Sequence, residues 1–431
     1  MDYEQALAQL HSLSRKGVHP GLERIRELSR RLGRPEQRAG RLIHIAGTNG
    51  KGSVAAMLDA MLRQSGAKTG LFTSPHLHCH SERYRINGEP ISRERFAALF
   101  TRVAAASAAM IEEGWEAPTE FETVTALALL WFAEEHVDQA VIEVGLGGRT
   151  DSTNIIDAPF AVITNVGMDH MDFLGATLPQ IAAYKAGVIK RGARVVTAAQ
   201  GEAFAVIEAE ARRQQADLLL LGRDFTLGAA RLDVHGGCLD IQTARRLYRS
   251  LQIPLAGRHQ LVNAALAVQM AELLDLPETA IREGLAAARW PARLELIAGR
   301  PLILLDGAHN VAGMQALTAA LDELWPGQKI VCLLGMLADK EREQALRLLL
   351  PRIRAAVVTP PPYLSRRGDW QMLAELIRNC GKAAEAVEDN RQALRRALAL
   401  AADADLLLVC GSLYLVGAVR DALREENYAI C

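Results

Sequence analysis

The sequence feature that most constrains the fold is a glycine-rich loop, Gly47-Thr48-Asn49-Gly50-Lys51-Gly52-Ser53. It follows the apolar run 42–46 and precedes the helix-like run 54–58, an order that predicts a strand, a tight turn and a helix. Glycines let the backbone turn its N–H groups toward an anion, and the helix adds the positive end of its dipole. Lys51 and Ser53 supply a cation and a metal-binding hydroxyl, so the loop predicts a bound nucleotide triphosphate.

The loop departs from the common phosphate-binding motif. That motif has Ser or Thr directly after the Lys, whereas Gly52 intervenes here. The loop is therefore either a narrower signature or a surface turn without a ligand. The strand before it and the helix after it favour phosphate binding.

Length and charge narrow the classes of protein to which the chain can belong. Half of its 431 residues are apolar, enough for two or three domains with their own cores. Lys and Arg total 49 against 50 Asp and Glu, so the net charge of -1 gives no global reason to expect a nucleic-acid partner. The acidic, polar N-terminus and the absence of a long uncharged apolar run predict a cytoplasmic protein with no membrane partner.

The six cysteines, the last of them Cys431, include no Cys-x-x-Cys pair and are predicted to be reduced, mostly structural thiols.

Short apolar runs rich in Val and Ile alternate with longer amphipathic stretches. This alternation predicts an α/β fold of parallel strands joined by helical crossovers. Residues 1–290 are predicted to form a larger N-terminal domain, with a small antiparallel addition at 223–255, and residues 291–431 a C-terminal one. The predicted strands cover residues 42–46, 69–73, 139–144, 160–165 and 194–197, then 302–305, 329–334, 355–358 and 405–410, with helices that include 312–324 and 391–402.

Polar side chains follow several of these strands at the point where each ends. Ser74 follows the second strand, Glu143 lies in the last part of the third, and His170 follows the fourth. Ligands of open parallel sheets bind beyond the carboxyl ends of the strands, so a doubly wound sheet would bring these residues to Ser53. Their hydroxyl, carboxylate and imidazole groups predict a Mg²⁺ site. Taken singly, each has an ordinary structural alternative, such as a helix cap or a packed histidine.

Lys185 lies in a largely apolar helix that ends at a glycine. A buried lysine beside a metal has a lowered pKa, but the spacing by itself favours an exposed lysine.

In the second domain, Asp306 and His309 follow a strand and precede a helix, and Arg293 follows the predicted boundary. Asp306 suits a ribose hydroxyl or a base amine, while His309 and Arg293 suit phosphate. A cap, a turn and a surface ion pair are the structural alternatives.

Taken together, these segments resemble the folylpolyglutamate synthase and dihydrofolate synthase family, a branch of the Mur ligase superfamily. The matching motifs follow the family order along nearly the whole chain, at residues 21–24, 47–53, 73–77, 82–83, 86–88, 119–122, 143–149, 151, 153–154, 169–170, 185–187, 257–263, 293–295, 306–310 and 411–412. The resemblance implies a Rossmann-like P-loop ATPase domain followed by a smaller Rossmann-like domain, with ATP held between them. Two positions depart from the family pattern: Glu120 replaces an aromatic residue and Ala292 replaces a glycine.

The resemblance also implies roles for single residues. Lys185 would carry a carbamate beside the metal. The catalytic residues would be Lys51, His170, Lys185 and Arg293. The ATP contacts would come from Thr48, Asn49, Gly50, Lys51, Gly52, Ser53, Asn263, Arg293, Asp306 and His309. The Mg²⁺ ligands would be Ser53, Ser74, Glu143 and His170, and the folate or pteroate pocket would consist of Thr119, Phe121, Asp151 and Ser152.

The activity implied is ATP-dependent amide ligation. Transfer of the γ-phosphoryl to a carboxylate of a folate, or of dihydropteroate, gives an acyl phosphate that the amine of L-glutamate attacks. Two alternatives stay open. A nucleotide-controlled switch needs the loop but not a second domain with Asp306, His309 and Arg293, and a cell-wall precursor ligase of the same superfamily fits segments 73–77 and 306–310 less well. We expect the chain to act as a monomer.

Overall fold

A computed structural model of the chain describes residues 1–13, 20–363, 366–426 and 428. The chain divides into two compact units according to its internal contacts. Unit 1 comprises Met1–Gly228, Asp240–Leu251 and Val262–Ala288, and unit 2 comprises Ala229–Leu239, Gln252–Leu261 and Arg289–Cys431. Both are α/β, as the alternating pattern predicts.

The first ten helices along the described chain are α1 (Tyr3–Leu13), α2 (Glu23–Arg31), α3 (Lys51–Gln64), α4 (Arg93–Glu112), α5 (Glu120–Glu134), α6 (Met171–Leu174), α7 (Leu178–Ala186), α8 (Gly201–Arg213), α9 (Arg258–Leu273) and α10 (Glu278–Ala287). The strands of the sheet in unit 1 are β1 (Arg41–Ala46), β2 (Thr69–Phe72), β3 (Tyr84–Ile86), β4 (Glu89–Pro90), β5 (Gln139–Glu143), β6 (Phe160–Ile163), β7 (Arg194–Thr197) and β8 (Asp217–Leu220).

The sheet of unit 1 has the order β4-β3-β2-β5-β1-β6-β7-β8. The strands from β2 to β8 pair in parallel, and β3 and β4 add an antiparallel edge. In β1 every residue after Arg41 is buried, as expected for a parallel strand covered on both faces. The order places β1, which leads into the glycine-rich loop, between β5 and β6.

Three short strands form a separate sheet: β9 (Thr226–Asp233), β10 (Gly236–Gln242) and β11 (Leu247–Ile253), in the order β11-β10-β9. The connections between them are only two and four residues long, which permits antiparallel pairing alone. This sheet is the small addition that the sequence predicts at 223–255.

Unit 2 contains a second α/β series. Its strands are β12 (Glu295–Ile297), β13 (Leu302–Leu305), β14 (Ile330–Leu334), β15 (Ile353–Val358), β16 (Ala383–Ala386) and β17 (Leu406–Cys410), and its helices are α11 (Val311–Leu324), α12 (Arg342–Leu349), α13 (Met372–Asn379), α14 (Asn390–Leu400) and α15 (Leu413–Glu425). The order is β12-β13-β17-β14-β15-β16, parallel except for β12. Val234 and Ala256, from earlier in the chain, pack into the core of this unit.

The predicted strands agree with the structure to within two residues at each end. The prediction omitted β3, β4, β8, β12 and β16, which are short strands toward the edges of the two sheets.

None of the helices in the described part of the chain is both long and apolar enough to cross a membrane. The five described cysteines are free thiols, and Cys431 lies outside the described residues.

Candidate active site

The glycine-rich loop, residues 47–53, joins the end of β1 to the first turn of α3. Gly50 caps the helix with φ at 85°, and the first backbone hydrogen bond of the helix runs from Val54 N to Gly50 O. The amides from Lys51 to Ser53 precede that bond and lie at the positive end of the helix dipole. Lys51 Nζ folds back and donates to Gly47 O at 3.1 Å and to Thr48 O at 3.2 Å. The loop thus has the backbone arrangement of an anion site, with its cation turned onto its own carbonyls.

The segment after β6 holds this loop in place. Asn165 bonds both backbone groups of Asn49, since its Oδ1 accepts from Asn49 N at 3.0 Å and its Nδ2 donates to Asn49 O at 3.0 Å. Thr164 Oγ1 donates to the same carbonyl at 2.6 Å, and Thr48 N donates to Asn165 O at 3.0 Å. The amides of Thr48 and Asn49 are therefore engaged within the protein, which fixes the shape of the loop.

Asn263, on α9, contacts the helix cap of the loop. A Cβ at Gly50 would lie 2.4 Å from Asn263 Oδ1, so a side chain at position 50 would displace Asn263. Asn263, which is predicted to bind the nucleotide, therefore lies beside the glycine-rich loop at residues 47–53, the phosphate loop, within unit 1.

Lys185 lies on α7 and its side chain enters the same site. It is only 4% exposed, and its Nζ donates to Gly47 O at 2.9 Å, the carbonyl that also accepts from Lys51. Burial, helped by the charge of Lys51 and opposed by Asp169, lowers the pKa of Lys185 to about 7. The exposed position that its spacing favours is wrong: the apolar helix packs with this lysine turned inward.

The four predicted metal ligands share one edge of the sheet. Glu143, at the end of β5, is 4% exposed, and its Oε2 accepts from Ser74 N at 3.1 Å. The strand order β2-β5-β1-β6 places Ser74 after β2, Ser53 after β1 and His170 after β6. Asp169 precedes His170 and accepts from its backbone N–H at 2.9 Å.

The donor chemistry of this set fits Mg²⁺. A buried carboxylate, two hydroxyls and an imidazole beside a phosphate loop offer the hard ligands that Mg²⁺ combines with phosphate oxygens and water. In the described residues there is no cluster of three or more His, Cys, Asp and Glu side chains that could hold a metal. A metal bound here would therefore depend on the hydroxyls of Ser53 and Ser74.

The predicted acceptor pocket also comes together within unit 1. Thr119 caps α5 and forms a reciprocal capping box with Glu122. Phe121 follows in the first turn, and its ring lies so close to Gly145 that a Cβ there would be 2.4 Å from its Cζ. Ser152 Oγ lies 2.8 Å from the hydroxyl of Thr125, one turn further along α5. The start of α5 and the loop after β5 therefore form two neighbouring walls.

Asp151 ties that loop together. Its Oδ2 accepts from Leu146 N at 2.7 Å, and its Oδ1 accepts from Thr153 N at 3.0 Å and from Thr153 Oγ1 at 2.5 Å. Burial raises the pKa of Asp151, although these hydrogen bonds oppose the rise. In the structure this carboxylate is an internal anchor for residues 145–153.

The predicted nucleotide ligands of unit 2 lie around the turn that leads into β12. Arg293 stands between Ala292 and Leu294, both of which have left-handed backbone angles, with φ at 59° and 47°. Its Nη1 donates to Ala292 O at 2.8 Å. Asp306 Oδ2 accepts from Leu294 N at 2.9 Å, so this carboxylate is hydrogen-bonded to the turn formed by residues 292–294, the arginine turn. Left-handed angles at two non-glycine residues cost free energy and are typical of functional turns.

The loop after β13 completes this group. Asp306 Oδ1 accepts from Ala308 N at 2.8 Å, and His309 Nδ1 lies 2.8 Å from Gly307 O. The arginine turn itself is held from α15, since Ala292 N donates to Glu295 Oε2 at 2.9 Å and the buried Arg420 forms an ion pair with the partly buried Glu295 at 2.9 Å. Arg293, Asp306 and His309 are thus neighbours in the fold of unit 2.

Comparison with known proteins agrees with this arrangement. Residues 45–271 match the Mur ligase middle domain, and residues 292–413 match the glutamate ligase domain of Mur ligases. The chain is 36% identical over 432 residues to the dihydrofolate synthase/folylpolyglutamate synthase of Bacillus subtilis, covering 98% of this chain and 99% of that protein. It is 38% identical over 434 residues to the folylpolyglutamate synthase of Lacticaseibacillus casei, covering 98% and 99%. The chain belongs to the folylpolyglutamate synthase and dihydrofolate synthase family of Mur ligases.

A solved structure supports the same assignment. The folylpolyglutamate synthase of Mycobacterium tuberculosis, complexed with ADP and AMPPCP, matches with a TM-score of 0.91 at 35% identity, covering 97% of this chain and 98% of that one. The resemblance seen in the sequence is confirmed, and the chain is an ATP-dependent amide ligase, as Mur ligases are.

Several residues of this family member were missed by sequence reasoning. Asn165 and Thr164 fix the phosphate loop, and His44 makes a buried contact with Thr153. Burial lowers the pKa of His259 while Asp306 raises it, so its ring lies within electrostatic range of that carboxylate. The signal available for His44 was a single polar residue inside the apolar run of β1.

Proposed function

We propose that this enzyme joins the amino group of L-glutamate to a carboxylate of a reduced folate, and to that of dihydropteroate, through an acyl phosphate. The γ-phosphoryl of ATP moves to a carboxylate oxygen, which releases ADP. The neutral glutamate amine then attacks the acyl carbon, phosphate leaves, and the nitrogen loses one of its two protons to solvent, which leaves the N–H of the amide. The observation that carries the proposal is the braced loop at residues 47–53, with the buried Glu143 on the neighbouring strand.

The proposal gives each part of the site a task. The loop binds the triphosphate, and Lys51 leaves its own carbonyls to offset the charge on the transferred group. Ser53, Ser74, Glu143 and His170 would hold Mg²⁺, which neutralises phosphate charge and orients the γ-phosphoryl group. Thr119, Phe121, Asp151 and Ser152 are assigned to the pteridine acceptor. Asn263, Arg293, Asp306 and His309 are assigned to the nucleotide, with Arg293 also opposing the developing charge.

Lys185 is proposed to carry a carbamate in the active enzyme. A pKa of about 7 leaves a large fraction of the amine neutral at neutral pH. The neutral nitrogen attacks CO₂, a C–N bond forms, and one proton is released to solvent. The product is an anion beside a site where a second ammonium would repel a metal. Carbon-13 NMR with labelled bicarbonate tests this proposal: a carbamate signal absent from Lys185→Met supports it, and no signal in active enzyme contradicts it.

Incorporation of labelled glutamate with ATP and either dihydropteroate or tetrahydrofolate tests the proposed reaction. We expect wild-type enzyme to form product with ADP release, and Lys51→Ala to lose turnover while keeping its melting temperature. The matched control is Arg212→Ala, an exposed cation on α8. Glutamate incorporation into cell-wall precursors but not into either folate acceptor would contradict the proposal, as would near-normal turnover by Lys51→Ala.

A further inference from the structure

His44 is the one imidazole in β1, and it is fully buried. Its neighbours in the strand are apolar, and its side chain shows no exposed surface. Its Nε2 lies 2.9 Å from Thr153 Oγ1, in the short 3₁₀ helix Ser152–Ile155. A polar group is costly in such a place unless it is hydrogen-bonded, so this one contact needs an explanation.

The hydrogen bonds beyond Thr153 fix the direction of this contact. The threonine hydroxyl has one proton, which it donates to Asp151 Oδ1 at 2.5 Å. The hydroxyl oxygen must therefore accept from His44, which places the imidazole proton on Nε2. Nδ1 is then the unprotonated nitrogen, and it has no hydrogen-bond partner among the residues that the structure describes.

The environment keeps His44 in that neutral form. Burial, with a smaller effect from the charge of Lys190, lowers its pKa to about 3. The ring is thus uncharged at neutral pH, and its single N–H is available for Thr153 alone.

Asp151 connects Thr153 to the predicted acceptor pocket through hydrogen bonds. Its Oδ2 accepts from Leu146 N, and the ring of Phe121 lies against the adjacent Gly145. Ser152, next to Asp151, contacts Thr125 on α5. The orientation of the Asp151 carboxylate therefore sets the distance between the loop after β5 and the start of α5.

We propose that His44 is a positioning residue for the acceptor pocket, acting through Thr153 on Asp151 and so fixing the wall formed by residues 145–152. The inference rests on the proposed function in that it takes this wall to face the pteridine acceptor. His44 does not contact substrate, and it acts on acceptor binding while leaving ATP binding unchanged.

Paired variants test each link of the chain. His44→Phe removes the hydrogen bond to Thr153, and Thr153→Val removes that bond together with the one from its hydroxyl to Asp151. His44→Gln and Thr153→Ser keep a donor. We expect His44→Phe and Thr153→Val to raise KM for the folate acceptor about tenfold, with kcat and KM for ATP within twofold of wild type. His44→Gln and Thr153→Ser should stay near wild type, and the double variant His44→Phe/Thr153→Val should be no worse than the worse single variant.

Two further measurements separate positioning from general destabilisation. Thr318→Val, a buried threonine of α11 in unit 2, should lower the melting temperature without changing either KM. Hydrogen exchange of the Leu146 amide should be faster in His44→Phe than in His44→Gln. Equal exchange in the two variants, or a parallel rise of both KM values, would overturn the inference. Absence of any glutamate incorporation by wild type would instead overturn the proposed function, since the exchange measurement does not depend on ligase activity.

Discussion

At the scale of single side chains, the phosphate loop is shaped by a residue that does not belong to it. Asn165 uses both ends of its amide on Asn49, so one side chain fixes both backbone polar groups of that residue. Thr164 adds a third hydrogen bond to the same carbonyl. ATP affinity should therefore depend on Asn165 although its side chain faces the protein.

We expect Asn165→Ala to weaken binding of an ATP analogue by up to about thirtyfold, because two hydrogen bonds of about 1 kcal/mol each hold the loop in its binding shape. Asn165→Asp keeps the acceptor for Asn49 N but loses the donor, and it should weaken binding as well. Isothermal titration calorimetry measures the effect, with the exposed Asn379→Ala on α13 as the control. Unchanged affinity in both variants at position 165 would show that the loop holds its shape without the asparagine.

Lys185 makes stability depend on pH in a direction that can be worked out. Its pKa is about 7 in the fold and 10.5 in an unfolded chain, so between these values the unfolded chain binds more protons. Stability therefore rises with pH across this window, by at most about 1.4 kcal/mol per pH unit from this group. Lys185→Met lacks this contribution to the pH dependence of stability. We therefore expect the melting temperature of wild type to rise relative to that of Lys185→Met between about pH 7 and pH 9, measured by calorimetry in CO₂-free buffer.

The matching control for that series is Lys68→Met, whose lysine is 38% exposed. Its difference from wild type gives the effect of removing a partly exposed lysine at each pH. A constant difference between wild type and Lys185→Met across the range would mean that the lysine stays charged in the fold.

At the scale of elements, α15 stabilises the arginine turn through one ion pair. Arg420 is 1% exposed and donates to both oxygens of Glu295, which in turn accepts from Ala292 N. The pair thus joins a helix near the end of the chain to a turn more than a hundred residues earlier. Its loss would leave a carboxylate largely enclosed without its cation.

Arg420→Met should destabilise unit 2 by about 3–5 kcal/mol, the cost of breaking a buried pair on one side. Arg347→Met is the control, because Arg347 and Glu343 form an exposed pair on α12, with both side chains more than half exposed, and its loss should cost less than about 0.5 kcal/mol. Thermal unfolding of both variants measures the effect. Equal small losses would show that water replaces the buried pair.

The elements that the sequence predicted correctly are those with a strong apolar run. β1, β7, β13 and β17 are buried along nearly their full lengths, and their bounds followed from composition. β4 has two residues and β16 is partly exposed, so neither has a run to detect. For the candidate site, the strand ends predicted that Glu143 and Ser74 lie close together, and a hydrogen bond joins them. Helical spacing cannot show that Lys185 points inward, because its direction is set by packing against the phosphate loop.

At the scale of the whole molecule, the two units are not consecutive in the chain. Residues 229–239 and 252–261 belong to unit 2, although unit 1 continues to Ala288. Val234 and Ala256 pack into the core of unit 2 from this earlier stretch. Contacts of this kind join residues far apart in sequence, which local patterns do not encode.

A fragment of residues 289–431 should therefore be less stable than the same residues in the intact protein. It lacks Val234 and Ala256, and their absence leaves apolar surface in the core of unit 2 uncovered. Circular dichroism melting of the fragment and calorimetry of the full chain give the comparison. A fragment that melts cooperatively at the temperature of unit 2 in the full chain would show that the earlier segments add nothing.

The Gly47 carbonyl accepts hydrogen bonds from two lysines, Lys51 and Lys185. A hydrogen bond weakens a C=O bond, so this carbonyl should absorb at a lower frequency than its neighbours while the side-chain nitrogens of both lysines donate to it. Isotope-edited infrared spectroscopy of a chain labelled with ¹³C at this one carbonyl would then report the departure of Lys51 toward a phosphate as a blue shift. Because Lys51 folds onto its own loop, the stretching frequency of this one carbonyl would report nucleotide binding.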